Sequence, residues 1–237
     1  MKIALIGYGK MGQAIEKLAT ERGHTIVAKA TSKAPVRIAD LADADVAIEF
    51  TEPSSALKNI HSAFQSGTPI VVGTTGWYNQ LDEVKGNCAE ANGALFYASN
   101  FSIGVNLFQS VLKYTSELMK NYAEYTPSIH EIHHLAKKDA PSGTALSLAD
   151  IVLDNSDFEE WTDDDEDQTK LKISSERIGD VKGTHEVHFT SSIDQITLEH
   201  KAFSRDGFAL GSILAAEWVQ KKKGVFTMRD MLKNTIG

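Results

Sequence analysis

Met1-Lys2-Ile3-Ala4-Leu5-Ile6-Gly7-Tyr8-Gly9-Lys10-Met11-Gly12 is a short apolar run that breaks directly into a G-x-G-x-x-G pattern. Beyond it, apolar residues recur at Ala14, Ile15, Leu18 and Ala19, the spacing of one helix face. Strand, glycine turn and helix in that order are the context a dinucleotide-binding unit requires. Gly7 permits the tight turn, Gly9 lets a pyrophosphate approach the backbone, and Gly12 allows close packing of helix on strand. Gly7, Tyr8, Gly9, Lys10, Met11 and Gly12 are therefore read as a cofactor cradle, with the unpaired amides of the helix start facing the phosphate anion.

Working outward, apolar runs recur at residues 2–6, 25–30, 46–50, 69–72 and 94–98. The amphipathic stretches between them stop at glycines such as Gly23 and Gly67. Continuous apolar runs suit strands buried on both faces, and their alternation with helices predicts an α/β fold, a Rossmann-like doubly wound parallel sheet. The pattern changes after Asn100. A helix is expected over 103–121, an extended run over 128–133, and a helix from Ser142. Strands are expected over 170–176, 184–191 and 195–202, and helices over 208–220 and 227–234. Consecutive strands imply a second α+β domain with a mixed or antiparallel sheet. The expected division is 1–103 with 206–237 for dinucleotide binding, and 104–205 for substrate binding and oligomerisation.

Composition excludes several classes. The chain has 237 residues and a formal charge of −8, without the basic footprint of a nucleic-acid partner. No stretch approaches the roughly 20 apolar residues of a membrane span. The single cysteine, Cys88, rules out an intrachain disulfide, and the expectation is a cytoplasmic protein. Residues 157–167 contain eight acids among eleven positions and read as a solvated loop.

Two loops follow strand ends at the carboxyl edge, where open α/β sheets bind ligands: Phe50-Thr51-Glu52-Pro53 and Gly73-Thr74-Thr75-Gly76. Phe50, Thr51, Gly73, Thr74 and Thr75 are read as lying along the cofactor. After the second strand comes Thr31-Ser32-Lys33, where an NAD-specific fold usually carries an acid. Ser32 and Lys33 are consequently assigned to the cofactor. The absence of a carboxylate and the presence of Lys33 favour NADPH, with NADH left open as a second donor.

The stretch richest in chemistry is Glu131-Ile132-His133-His134-Leu135-Ala136-Lys137-Lys138-Asp139-Ala140-Pro141-Ser142-Gly143-Thr144-Ala145. Ser142 can cap a helix, and the amides of Gly143 and Thr144 then form an anion site suited to a carboxylate. Lys137 can join the same carboxylate, and an upstream histidine can serve as general acid because imidazole titrates near neutrality. A metal site at His130, His133 and His134 is the rival. Adjacent strand residues point to opposite faces, and no His-Glu-x-x-His spacing is present, so no metal is assigned.

This block resembles the signature of the dihydrodipicolinate reductase family. The glycine fingerprint, Gly73-Thr74-Thr75-Gly76, Asn100-Phe101-Ser102-Ile103-Gly104, Arg177-Ile178-Gly179, Gly183-Thr184-His185, and His200-Lys201-Ala202 with Arg205 agree in the same order. The resemblance covers nearly the whole chain. It implies His133 as the acid and Lys137 as the residue that binds substrate and stabilises charge. It further implies His134, Ser142, Gly143, Thr144 and Arg205 at a small dicarboxylate substrate, and Ala98, Asn100 and Phe101 at the cofactor. The implied activity is NAD(P)H-dependent reduction of the ring substrate in lysine and diaminopimelate biosynthesis, in a homotetramer. A different two-domain dehydrogenase and a non-catalytic nicotinamide sensor are the alternatives. The Pro141-Ser142-Gly143-Thr144 block disfavours the first, as does Cys88, which sits in no thiol-nucleophile motif, and the second would not need His133, Lys137 and an anion-binding helix start together.

Overall fold

The computed structural model describes residues 1–164, 166–204 and 206–233. Arg205, expected at the substrate, and Asn234, expected to end the last helix, lie outside the described residues, as does Asp165 of the acidic stretch. The chain divides into two compact units, Met1–Ile103 with Asp206–Gly237, and Gly104–Arg205. No helix among the described residues is long and apolar enough to cross a membrane.

In the first unit β1 (Lys2–Ile6), β2 (Thr25–Ala30), β3 (Val46–Glu49), β4 (Ile70–Val72), β5 (Ala94–Tyr97) and β11 (Gly224–Phe226) form one sheet, in the order β11-β5-β4-β3-β1-β2. Every pairing in it is parallel. The inner strands β1, β3, β4 and β5 are buried on both sides, which is why their sequences are largely apolar, and the edge strands β2 and β11 are mostly half-buried. Ile3 and Leu5 of β1 pack on one face with Ile15 and Ala19 of α1 (Lys10–Glu21) and Ile213 of α7 (Asp206–Val219). Ala4 and Ile6 face the other way, toward Leu41 of α2 (Ile38–Ala42), Ile60 of α3 (Pro53–Ser66) and Val84 of α4 (Leu81–Glu90). The strand order reverses between β1 and β3, so the loops after β1, β3 and β4 open at one edge, where such sheets bind ligands.

In the second unit, five strands are ordered β10 (Gln195–Lys201), β9 (Thr184–Thr190), β6 (Thr126–His133), β8 (Leu171–Arg177), β7 (Trp161–Thr162). The sheet is mixed: β9 is antiparallel to both β6 and β10, while β6–β8 and β7–β8 are parallel. The parallel pairing arises because α6 (Gly143–Leu153) carries the chain across between β6 and β8. The other long helix, α5 (Ile103–Met119), contributes Phe108 and Leu112 to the core beneath the sheet. Within the acidic stretch, Trp161 and Thr162 form the edge strand β7 rather than loop. Lys170 pairs with Glu160 there at 2.7 Å.

Candidate functional site

The first unit carries the glycine loop. Gly7 has φ +97°, and a β-carbon on it would meet the Phe50 carbonyl oxygen at 1.9 Å. Only glycine fits such a left-handed, crowded position. A β-carbon on Gly12 would stand 2.3 Å from the Gly7 oxygen, so α1 packs directly on the turn. Gly9 caps α1 in an extended conformation, no side chain closes the first turn, and nothing lies within 4 Å of its absent β-carbon. This combination fits a pyrophosphate: open space over amides that have no intrahelical acceptor.

A cavity of about 370 Å³ at this point is lined by Gly9, Lys10, Met11 and Gly12, with Phe50, Thr51, Gly73, Thr74 and Thr75 opposite. A second cavity, about 600 Å³, continues past Gly7 and Tyr8 to Ala30, Thr31 and Ser32. Ser32 lines this second cavity. Lys33 is exposed and does not line this cavity; the lysine that does is Lys58 of α3. Phe101 is a core residue, stacked between Phe50 and Phe96 and lying against Gly211. Asn100 turns inward to accept from the Ser102 amide at 2.8 Å, and Ala98 packs at the margin of the same core.

Beneath these loops is a group that the sequence did not flag. Glu49, at the end of β3, is fully buried. One of its oxygens accepts from the Thr51 hydroxyl and from Asn59 Nδ2, and the other has no partner. Burial pushes its carboxyl above the ordinary range, against the pull of the threonine hydrogen bonds. Thr74 Oγ1 accepts from the Thr51 amide at 2.7 Å, so the two ligand-facing loops are tied together.

In the second unit, strand alternation does most of the assembly. β6 buries every second residue, which puts Glu131 and His133 on one inward face and His130 on the other. Register then sets Ser175 and His185 beside Glu131, and Arg177 beside His133. Glu131 is 0% exposed. Its Oε1 accepts from the Ser142 amide at 3.1 Å, Ser175 Oγ at 2.9 Å and Arg177 Nη2 at 3.2 Å. Its Oε2 is 3.3 Å from His133 Nδ1 and 3.8 Å from His185 Nε2. After β6 a tight turn, closed by the Lys137 amide on the His134 carbonyl, brings Lys137 round.

Ser142 caps α6 by accepting from the Ala145 amide at 3.2 Å. It is itself buried, with His185 Nε2 3.3 Å from its hydroxyl. The exposed end of the helix is thus Gly143 and Thr144, whose amides have no intrahelical acceptor. Lys137 Nζ lies 2.8–2.9 Å from both oxygens of Asp139. That pairing holds the exposed Asp139 carboxyl below its usual range and defines what an incoming carboxylate must compete with.

Burial lowers the His133 pKa, Glu131 raises it, and nearby Lys137 and Arg177 lower it further, leaving it below the ordinary histidine value. Burial also pulls the Glu131 pKa upward, but hydrogen bonds from Ser142 and Ser175 and the charge of His133 outweigh it, and the group stays anionic. For His185, burial and then His133 bring the pKa to about 4 from 6.5. The folded protein keeps His185 neutral where the unfolded chain would protonate it. Its contribution is full above pH 6.5 and is lost as pH falls toward 4. The gap between 6.5 and about 4 amounts to on the order of 3 kcal/mol when fully expressed. Urea unfolding should therefore show acid destabilisation between pH 7 and 5 that is reduced by about 2 kcal/mol in His185→Asn. Parallel pH dependences in the two proteins would contradict this.

Glu131, His133 and His185 bring three ligand-type atoms within 4.8 Å of one another. This is not the His130, His133 and His134 set weighed from the sequence. His130 instead faces Ser174 at 2.8 Å and Glu176 at 3.6 Å. The Arg177 guanidinium pairs with Glu131 through Oε1, while Oε2 faces the His133 and His185 rings. Sequence reasoning assigned no role to Glu131, Ser175, Arg177 or His185. The available signal was period two: Glu131 precedes His133 by one alternation and shares its face.

Two family models match, described as dihydrodipicolinate reductase, N-terminus, over residues 1–101 and dihydrodipicolinate reductase, C-terminus, over residues 104–232. The chain is 43% identical over 235 residues to the 4-hydroxy-tetrahydrodipicolinate reductase of Christiangramia forsetii, covering 99% of this chain and 98% of that one. It is 37% identical to the enzyme of the same name from Rickettsia bellii, covering 96% and 92%. A dipicolinate-bound dihydrodipicolinate reductase from Paenisporosarcina superposes with a TM-score of 0.78 over 96% of this chain and 97% of that one, at 22% identity. An amine dehydrogenase from Mycobacterium smegmatis, 8% identical, shares the fold with a TM-score of 0.60 over 95% and 94%. On the matched models and these relatives, the chain belongs to the dihydrodipicolinate reductase family.

Proposed function

We propose that the chain reduces 4-hydroxy-tetrahydrodipicolinate to tetrahydrodipicolinate with NAD(P)H, in lysine and diaminopimelate biosynthesis. The observation that carries this is in the second unit: a buried histidine–carboxylate array beside a helix start whose Gly143 and Thr144 amides await an anion. Family membership and the names of its relatives support it. A dinucleotide held by the glycine loop of the first unit would supply the hydride.

The chain's own residues do the rest. Gly143, Thr144 and Lys137 hold one ring carboxylate, Lys137 exchanging Asp139 for the substrate. His134 and Arg205 are assigned to the dicarboxylate as well, and Ser142 shapes the helix start by capping it. His133 delivers the proton as electron density moves toward the ring nitrogen. The 4-hydroxyl leaves as water together with a hydrogen from the adjacent ring carbon, and the ring gains one hydride and one proton. Fixing the carboxylate restricts which ring carbon is presented, and preorganised donors act where charge develops.

The first unit is assigned to the cofactor through Gly7, Gly9, Gly12 and the loops at Thr51 and Thr74. NADPH is the proposed preferred donor. The cavity at the end of β2 is lined by Thr31, Ser32 and Lys58; Glu52, after β3, also lines it, but the residues that follow β2 contribute no carboxylate to repel a 2′-phosphate. Lys58→Ala should lower the NADPH/NADH ratio of kcat/KM by about fivefold, as loss of a surface charge contact of about 1 kcal/mol does. Lys33→Ala should change it less. Equal effects would return the role to Lys33.

A homotetramer is proposed through the second unit. α5 presents Leu107, Val111, Tyr114 and Leu118 to solvent along one stripe, an apolar face of the sort that subunits cover. A single-chain mass by light scattering would refute that part.

The activity is tested by NADPH oxidation at 340 nm, with the ring substrate generated in place by the aldolase that makes it. Turnover is expected with competition by pyridine-2,6-dicarboxylate, the flat analogue of the ring. No absorbance loss overturns the reading.

A further inference from the structure

We infer that Glu131 is the positioning residue for the proton-delivering histidine: its Oε2 holds the Nδ1–H of His133, which leaves Nε2 as the atom that gives up the proton. This rests on the reading of His133 as the acid and specifies how the fold equips it.

The two oxygens of Glu131 have divided roles. Oε1 takes all three donors that anchor the carboxylate, from α6 (the Ser142 amide) and from β8 (Ser175 and Arg177). Oε2 has no hydrogen-bond partner and neither does His133 Nδ1, although both are buried and 3.3 Å apart. Two such atoms, each costly to leave unsatisfied, complete one another with a small rotation of the ring. His185 is the weaker claimant. Its Nε2 is 3.8 Å from Oε2 and already 3.3 Å from the Ser142 hydroxyl.

Around the imidazole, Arg177 comes from β8, Lys137 and His134 from the turn after β6, and His185 from β9, with His200 of β10 behind it. Asp139 is engaged by Lys137. Apart from Asp139 these neighbours are cations or imidazoles, so Glu131 is what offsets them and makes an imidazolium at His133 tenable. The opposite ring atom, Nε2, looks onto Gly183: a β-carbon there would stand 3.1 Å from it, and φ at Gly183 is +148°. The side chain missing at Gly183 leaves the donating face of the ring clear. The same carboxylate also holds the Ser142 amide at the start of α6, so one buried anion fixes both the acid and the helix end assigned to the substrate carboxylate.

The test is Glu131→Gln, which keeps an acceptor oxygen for the anchoring donors and removes the charge. The whole enzyme is assayed from pH 5.5 to 9 with wild type alongside. The activity that requires protonated His133 should fall away at a pH lower by one unit or more. At pH 8, kcat should drop at least tenfold while KM for NADPH stays within twofold. Glu131→Asp, which restores the charge on a shorter arm, should recover part of the profile.

A Glu131→Gln profile with the wild-type shape overturns the inference, whether or not its amplitude is reduced. Should the variant not fold, imidazole nitrogen-15 shifts of the wild-type enzyme decide. Neutral His133 should carry its proton on Nδ1; a proton on Nε2 overturns the proposal. Wild type that folds and shows the Nδ1 tautomer but never turns over the ring substrate would remove the functional reading and leave the positioning intact.

Discussion

Replacing His133 with Gln is expected to lower kcat by about 10²–10⁴-fold, the range over which a positioned general acid acts. Affinity for NADPH should be unchanged, because every residue lining the dinucleotide cavities belongs to the first unit. Glutamine fills similar space and can still donate to Glu131 Oε2, so the buried cluster keeps its packing while losing a transferable proton. Lys137→Ala should reduce kcat/KM by about 10²–10³-fold, the scale of one charge donor at a developing anion. Its effect should fall on substrate KM as well as on kcat, since Lys137 is assigned to ground-state carboxylate binding. Its ion pair with Asp139 is exposed on the aspartate side, so stability should change by less than about 1 kcal/mol. Stopped-flow turnover with cofactor titration by fluorescence separates these effects. A His133→Gln enzyme within tenfold of wild type would remove this residue from the chemistry, and a sensor-like protein would be indifferent to both substitutions.

Much of this architecture is legible from local pattern. β1, β2, β3, β4 and β5 stand within a residue or two of where uniform apolar runs placed them, because strands buried on both faces need continuous hydrophobic sequence. β11 was not foreseen. At three residues, Gly224–Phe226, it is too short for any period to register, and it exists because it pairs with β5. The parallel contact between β6 and β8 is likewise a tertiary choice. The same holds within the two candidate sites. The motif around Pro141 named His133, Lys137, Gly143 and Thr144, all local in sequence. Glu131 meets Ser175, Arg177 and His185 only through sheet register across some fifty residues. Lys33 looked apt because it follows β2 in sequence, yet Lys58, on the helix that follows the next strand, is the lysine lining the cavity. Sequence separation hides such partners: period two fixes which face each residue takes, but which distant strands lie side by side is decided by tertiary packing.

The glycine loop offers a second large effect, and it divides three residues that a motif treats alike. Gly7→Ala should destabilise the protein by about 3 kcal/mol or more, because a left-handed φ costs an L-residue roughly 1–2 kcal/mol and the clash adds to it. The clash is with backbone: the new methyl would meet the Phe50 carbonyl at 1.9 Å, and a carbonyl at the end of β3 cannot swing aside as a side chain can. For a chain of this size that corresponds to a Tm lower by about 6–12 °C. Gly12→Ala pushes against the Gly7 carbonyl at 2.3 Å and should act in the same direction. Gly9→Ala should behave differently. Its φ of −85° suits any residue, and nothing lies within 4 Å of the added carbon, so Tm should stay within about 2 °C. Yet that carbon enters the space above the uncapped amides of α1 where the pyrophosphate is to lie, and the Kd for NADPH should rise tenfold or more. Thermal melts without ligand and cofactor titration together give the two readouts. Normal NADPH affinity in Gly9→Ala would mean that the phosphates do not rest on this helix start, and the cofactor assignment of the first unit would fall with it.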